Sequence, residues 1–298
     1  MPHALTLGPS IGARALILPL LFVCVLGHAA DPASNSNTNT VVSRHTDVRF
    51  ARTAPFSTSA EVMRRLGIKS VGRGYNLAAE KFQVIIPGNF SNDLSWGLVV
   101  WISPGDSPKI PPDWEATLAR QQLLFVGAYN SGNQRDVIER SRLALDAAFN
   151  MRSMYKLDPA RVYVAGMSGG GRMASILGVA YADVFTGTIS MCGANFYKDT
   201  HATNGNLLQH SYNPESGVLA LAKNSRRFVL LTGEQDFNRS SVKDIWQQGF
   251  VREGFAQVRY MEVPGMKHEL PPAEVLDSAL DFLWTTEPRR GAVRGKRR

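Results

Sequence analysis

Apolar positions recur along the middle of the chain in two rhythms, one of period two and one near 3.6, and their alternation predicts strands and helices in turn. Lys81 to Pro87 sets Phe82, Val84 and Ile86 on one side and ends at a proline, the pattern of a half-exposed strand. Gly97 to Ser103 and Leu123 to Ala128 are apolar on both faces, as central strands must be when helices cover both sides of a sheet. Gln134 to Tyr155 carries Ile138, Leu145, Ala148 and Phe149 at helical spacing, with Arg135, Arg140 and Arg142 off that face. Val162 to Ala165, Gly187 to Cys192, Arg227 to Thr232 and Val258 to Val263 are further strands. A closing helix, Ala273 to Trp284, offers Leu276, Leu280 and Leu283, and Ala60 to Leu66 reads as a short outer helix. This alternation predicts an α/β fold, a mostly parallel central sheet with helices on both faces.

The ends follow different rules. Residues 1–30 have the layout of a secretory signal peptide: Arg14, an apolar stretch from Ala15 to Gly27, then Ala29 and Ala30. The apolar stretch is too short to span a bilayer and is broken by Pro19, so the expectation is a secreted or periplasmic protein without stable membrane insertion. An uncleaved anchor is the alternative. Residues 31–47, rich in Ser, Asn and Thr, read as a flexible linker, which leaves 48–288 as the folded domain. Loss of the leader takes Cys24 with it, so Cys192 has no internal disulfide partner and stability must come from a packed core.

The net charge is +8, but residues 289–298 hold six basic side chains and no acid, so removing those six leaves +2 for the rest. The charge therefore describes a solvated basic tail, and no basic stripe with interleaved aromatics argues for nucleic acid.

The chemistry centres on Val162 to Ala174. A β-branched run is followed by Gly166-Met167-Ser168-Gly169-Gly170 and then by a helical pattern, so a Gly-x-Ser-x-Gly sits in a tight strand-to-helix turn that lifts its hydroxyl clear of the sheet. The same glycines, as Gly169-x-Gly171-x-x-Ala174, also fit a dinucleotide fingerprint. That rival needs an acid at the tip of the next strand, where the chain reads Ser190-Met191-Cys192-Gly193. A serine nucleophile needs an imidazole to take its proton and a carboxylate to orient that ring. Of the four histidines beyond the leader, His45 is in the linker and His201 and His210 lie in an irregular stretch. His268 alone follows a strand end, just before the closing helix. Asp236 follows the strand ending at Gly233, with Glu234 as a fallback; either acid could instead cap a helix starting near Ser240.

Ser168, Asp236 and His268 occur in the nucleophile, acid, base order of the α/β-hydrolases. With the elbow, the Gly233-x-x-Asp236 turn and the Gly265-x-x-His268 turn as its carriers, the stretch from about Lys81 to Trp284 resembles the extracellular esterase branch of that superfamily. That branch includes polyhydroxybutyrate depolymerases and feruloyl esterases. The resemblance implies Ser168 as nucleophile, His268 as general base and then acid, and Asp236 as the orienting acid, with no metal and no cofactor. It also implies two oxyanion donors, the Gly169 N–H and one from the loop after an earlier strand. Here that loop reads Ser103-Pro104-Gly105-Asp106 in place of the usual His-Gly pair, and Pro104 has no N–H, which leaves Gly105, Asp106 or the Ser103 hydroxyl.

Two loops are expected to shape a pocket. Asn130-Ser131-Gly132-Asn133 offers Asn130 as a polar contact or forms a plain turn. The insertion from Phe196 to Arg226 offers Tyr197, His201, His210 and Tyr212, with Val218 to Ala222 as a short covering helix, or is surface padding. The expected partner is an ester, small or polymeric. A peptidase or thioesterase on the same triad, and a non-catalytic polymer- or glycan-binding protein with the same fold, remain alternatives. Nothing in the residues sets the oligomeric state.

Overall fold

Residue 102 carries its side chain into one hydrophobic layer and residue 101 into another, and this alternation runs through the central strands. Leu98, Val100 and Ile102 join one core cluster, Val99 and Trp101 the other. The computed structural model describes residues 42–69 and 74–284. The leader 1–30, the linker as far as residue 41 and the basic tail 289–298 lie outside the described residues.

The sheet has eight strands: β1 Arg44–Val48, β2 Phe82–Ile86, β3 Trp96–Ile102, β4 Leu123–Ala128, β5 Leu157–Met167, β6 Gly187–Met191, β9 Arg227–Gly233 and β10 Val258–Val263. A separate hairpin is formed by β7 Thr200–His201 and β8 Leu207–Leu208. The strand order is β1-β2-β4-β3-β5-β6-β9-β10. Every pairing from β4 to β10 is parallel, and β1 and β2 are antiparallel to their neighbours. Helices α2 Asp113–Arg120 and α7 Ala273–Trp284 cover one face with Trp114, Leu118, Leu276 and Leu280. Helices α1 Ser59–Leu66, α3 Val137–Met154, α4 Gly169–Ala180 and the irregular helix α6 Arg239–Asp244, continued by a π-helical stretch Ile245–Val251, cover the other. Helix α5 Ser216–Ser225 packs on α4. Among the described residues, no helix is long and apolar enough to cross a membrane.

Local signals account for several boundaries. Thr58 Oγ1 accepts the Glu61 N–H at the start of α1, and Asp136 Oδ1 accepts the Glu139 N–H at 3.0 Å at the start of α3.

Two expectations are corrected. The linker ends earlier than residue 47, because Arg44–Val48 pairs with β2 from Arg44 opposite Ile86 to Val48 opposite Phe82. This edge strand is held by backbone bonds and has no apolar period to announce it, so the folded domain begins before residue 48. His45 accordingly belongs to the sheet edge, with Nε2 at 3.0 Å from Glu115 Oε1. Strand β2 is also more buried than a half-exposed strand, since it is flanked by β1 and β4 and sends Ile85 into the second core layer.

Candidate active site

The strand that ends at Met167 and the helix that starts at Gly169 leave Ser168 as the single residue between them. Its backbone sits at φ 55° and ψ −119°, a strained conformation for a residue with a side chain and the one a nucleophile elbow requires. Neighbouring backbone holds it there. The Ser168 N–H donates to Met191 O at 2.7 Å, and its carbonyl accepts the Arg172 N–H at 3.0 Å. Gly193 packs so closely against it that a Cβ there would lie 2.5 Å from Ser168 O. The N–H groups of the first turn of α4 face the space beside the half-buried serine.

Asp236 and His268 lie in the loops that follow the adjacent parallel strands β9 and β10. His268 Nδ1 lies 2.8 Å from Asp236 Oδ1. The fully buried Asp236 carboxylate also accepts the Asn238 N–H at 2.9 Å on Oδ1 and the Thr232 hydroxyl at 2.8 Å on Oδ2. Burial alone would raise its pKa, yet the hydrogen bonds from Asn238, His268, Thr232 and Cys192 outweigh that effect and hold it below the usual carboxylate range. It therefore stays ionised beside the imidazole.

Glu234, the fallback acid, does a different job. It is exposed and its Oε2 accepts the Gly265 N–H at 2.8 Å, while the Gln235 N–H donates to Met266 O at 2.9 Å. These bonds lace the loop after β9 to the loop after β10. Nor does Asp236 occupy the cap position of α6, which falls to Asn238.

Cys192, at the tip of β6, has its thiol within 4.8 Å of the ligand atoms of both Asp236 and His268, the one grouping of metal-ligating side chains among the described residues. Burial, with the Asp236 carboxylate beside it, pushes the Cys192 pKa up to about 12, so the group is a neutral thiol. The thiol lies between the Asp236 carboxylate and Glu269 O, 3.5 Å from the latter.

The other expected site residues fare unequally. Gly169 stands directly after Ser168 at the head of α4. The Gly105 N–H, expected in the oxyanion hole, donates to Ser103 Oγ at 3.1 Å, so the loop's own hydroxyl has taken that donor. Asn130 is a turn residue with φ 51°, and its N–H donates to Asp106 O at 2.9 Å. Tyr197 is a correction: it is buried among Phe196, Tyr212 and Phe255, with its hydroxyl on Glu253 Oε2 at 2.8 Å, because an aromatic cluster gains more from its burial than a pocket lining would. His201 is exposed on β7. Helix α5 lies against α4 and is longer than the expected covering segment.

Three further residues stand out once the chain is folded. The Asn133 side-chain amide lies against Gly169, where a Cβ would fall on Asn133 Oδ1. Phe237 is 76% exposed, and its ring stacks on the His268 imidazole with centroids 4.1 Å apart and planes at 30°. Arg172 lines a cleft of ≈ 330 Å³ together with Asn195 and residues of the β7–β8 hairpin. Asn133 closes the tetrapeptide after β4, Phe237 follows Asp236 and Arg172 lies in the helix after the elbow, but the placement of their side chains is set by the folded loops.

A parallel sheet of this order, with a strained serine at an elbow and an Asp–His pair at the same carboxyl rim, defines an α/β-hydrolase fold. No family model matches the chain. Over 123 residues, 41% of this chain, the sequence is 36% identical to poly(3-hydroxyalkanoate) depolymerase C of Paucimonas lemoignei. That alignment spans 23% of the relative's length, so the chain matches less than a quarter of it. Among solved structures, fluorophosphonate-binding serine hydrolase F of Staphylococcus aureus superposes with a TM-score of 0.54 at 14% identity, covering 81% of this chain and 98% of that one. A feruloyl esterase module of Clostridium thermocellum, complexed with sinapinate, gives a TM-score of 0.51 at 12% identity over 68% and 83% of the two chains. These structural likenesses establish the fold.

Proposed function

We propose that the protein is an exported serine hydrolase that cleaves carboxylic esters through an acyl-enzyme. The Asp236–His268 hydrogen bond at 2.8 Å, on the same rim as the strained Ser168, carries the reading. The likeness to a polyester depolymerase and to a feruloyl esterase favours esters over amides as substrates. The leader pattern in residues 1–30 supports export.

In this mechanism Asp236 holds the Nδ1–H tautomer of His268, and Nε2 takes the Ser168 proton as Oγ attacks the ester carbonyl. The tetrahedral oxyanion is met by the Gly169 N–H, aided by the positive end of α4. Pro104 has no N–H and Gly105 has given its own to Ser103, so we assign the second donor to the Asn133 side-chain amide beside Gly169. His268 then protonates the departing alcohol, leaving Ser168 acylated. Water, deprotonated by the same imidazole, attacks the acyl-enzyme and releases the acid with Ser168 restored. Every step is acid–base and acyl chemistry within the chain's own residues.

The test is a panel of esters of varied chain length with the wild-type protein and Ser168→Ala, run beside labelling by a fluorophosphonate. Turnover and labelling that both vanish in the variant support the reading. An unlabelled wild-type protein that hydrolyses no ester would favour a non-catalytic binding role, and full activity in the variant would remove Ser168 as nucleophile.

A further inference from the structure

We propose that Arg172, one helical turn beyond Ser168, makes the cleft it lines a subsite for a carboxylate carried by the ester, so that the enzyme prefers esters with an anionic end to neutral esters of the same size. The inference rests on the serine-esterase reading and names the substrate class for that site.

Arg172 stands one helical turn beyond the nucleophile, its N–H on Ser168 O at 3.0 Å, which places it about 6 Å along the helix axis. It is exposed, and among the described residues its guanidinium has no hydrogen-bond or ion-pair partner. Arg172 shares this with Arg44, Arg152 and Arg252, whereas Arg135 pairs with Glu80 and Glu139, Arg239 with Glu262, and Arg65 with Glu61 and Asp183. The first turn of a helix is also an unfavourable place for a cation, since the N-terminal N–H groups already present positive charge, and α4 has no acid in that turn to offset it. The fold gains nothing from this charge, whereas a bound anion would.

The cleft of ≈ 330 Å³ is built to receive one. Asn195, Gln209 and Ser241 supply polar groups around Arg172, and Leu208 and Ile245 supply an apolar wall suited to a short hydrocarbon spacer. Its lining contains no acidic residue. Asp244, the acid of α6, is buried and accepts the Thr203 hydroxyl at 3.4 Å. Asn195 is fixed in place, its backbone N–H on Ser175 Oγ at 2.8 Å and its side-chain amide on Ser211 Oγ at 2.9 Å. The lining offers a single cation, which balances one negative charge and so suits a carboxylate better than a dianionic phosphate.

The test compares kcat/KM within two matched pairs. One places the carboxylate on the acyl side, mono-p-nitrophenyl glutarate against p-nitrophenyl pentanoate; the other places it on the alcohol side, O-butyryl glycolate against ethyl butyrate. A preference of about tenfold or more for the acidic member of at least one pair is expected, eroded by about 0.5 M NaCl as screening shortens the reach of the charge. Arg172→Gln should abolish that preference and Arg172→Lys should keep part of it; Arg172 is exposed, so both variants should fold. No preference in either pair, or one that survives Arg172→Gln, overturns the proposal. Inorganic phosphate inhibiting more tightly than free glutarate overturns the carboxylate assignment. Absence of turnover on all four esters, with no fluorophosphonate labelling of Ser168, instead overturns the underlying esterase reading.

Discussion

Asp236 and His268 meet at 2.8 Å, Oδ1 to Nδ1, across two loops that leave neighbouring parallel strands. The carboxylate also accepts hydrogen bonds from Asn238, Thr232 and Cys192, which fix its orientation toward the ring. Asp236→Asn keeps the shape but cannot hold the Nδ1–H tautomer, and kcat should fall by about 10⁴ with little loss of fold. Glu234→Gln, on the exposed acid that braces Gly265, should lower kcat by less than about tenfold. Steady-state ester hydrolysis with circular dichroism on both variants checks the pair; equal losses would mean that the acid has been misassigned.

Asn133 lies against Gly169, the residue whose N–H is proposed as the first oxyanion donor. If its amide is the second, Asn133→Ala should cost about 10² to 10³ in kcat with a small change in KM, since the bond forms only as charge develops on the carbonyl oxygen. Gly105→Ala is the control at the position expected from sequence, and there a change within about threefold is expected, because its N–H already serves Ser103 Oγ. A reversed pattern would return the donor role to the loop after β3.

Phe237 is a large apolar side chain held in water, 76% exposed, and its visible contact is the stack on His268 at 4.1 Å. A ring so placed limits the tilt of the imidazole and offers an apolar face to an incoming ester. Phe237→Ala should leave unfolding free energy within about 0.5 kcal/mol, because an exposed side chain contributes little to the core. It should nevertheless lower kcat/KM several-fold, and Phe237→Tyr should restore most of the loss. Urea unfolding and ester kinetics on the same preparations separate the two effects.

The parts of this molecule legible in the sequence are those set by local pattern. β3, β4 and β5 are apolar on both faces because both faces are covered, and the elbow is written in glycines that a tight turn demands. Asp236 and His268 stand out because ligands in such sheets gather at the carboxyl ends of strands, and these two lie in the loops that follow β9 and β10. The features that sequence leaves hidden depend on tertiary placement. Arg44–Val48 is polar and becomes a strand only because β2 presents an unpaired edge. Tyr197 reads as polar and aromatic, yet Phe196, Tyr212 and Phe255 draw its ring inward while Glu253 satisfies its hydroxyl. Asn133 and Asn130 are indistinguishable in a turn-forming tetrapeptide until the backbone decides which one reaches the elbow.

Glu253 shows how the fold should respond to acid. Burial would raise its pKa, but the bonds from Lys198 at 2.9 Å, Tyr197 at 2.8 Å and Lys223 at 3.1 Å outweigh that and hold it at about 2, against an ordinary 4.5. A carboxylate whose pKa is lower in the folded chain than in the unfolded one stabilises the fold above the unfolded value, and loses that contribution as pH falls through the folded value. Glu61, held at about 2 by Arg64 and Arg65, and Asp236, below 3.8, act in the same direction. The urea midpoint should therefore stay level from neutral pH to about pH 5 and drop steeply between about pH 4.5 and pH 2. Glu253→Gln should lose roughly 1 to 2 kcal/mol at pH 7, since its partly buried partners remain without a counter-charge, and its stability should fall less steeply below pH 4.5. Parallel urea titrations at pH 7, 4.5 and 3 decide the matter: curves for the variant and the wild type that run parallel at all three would show that Glu253 titrates alike in the folded and unfolded chains.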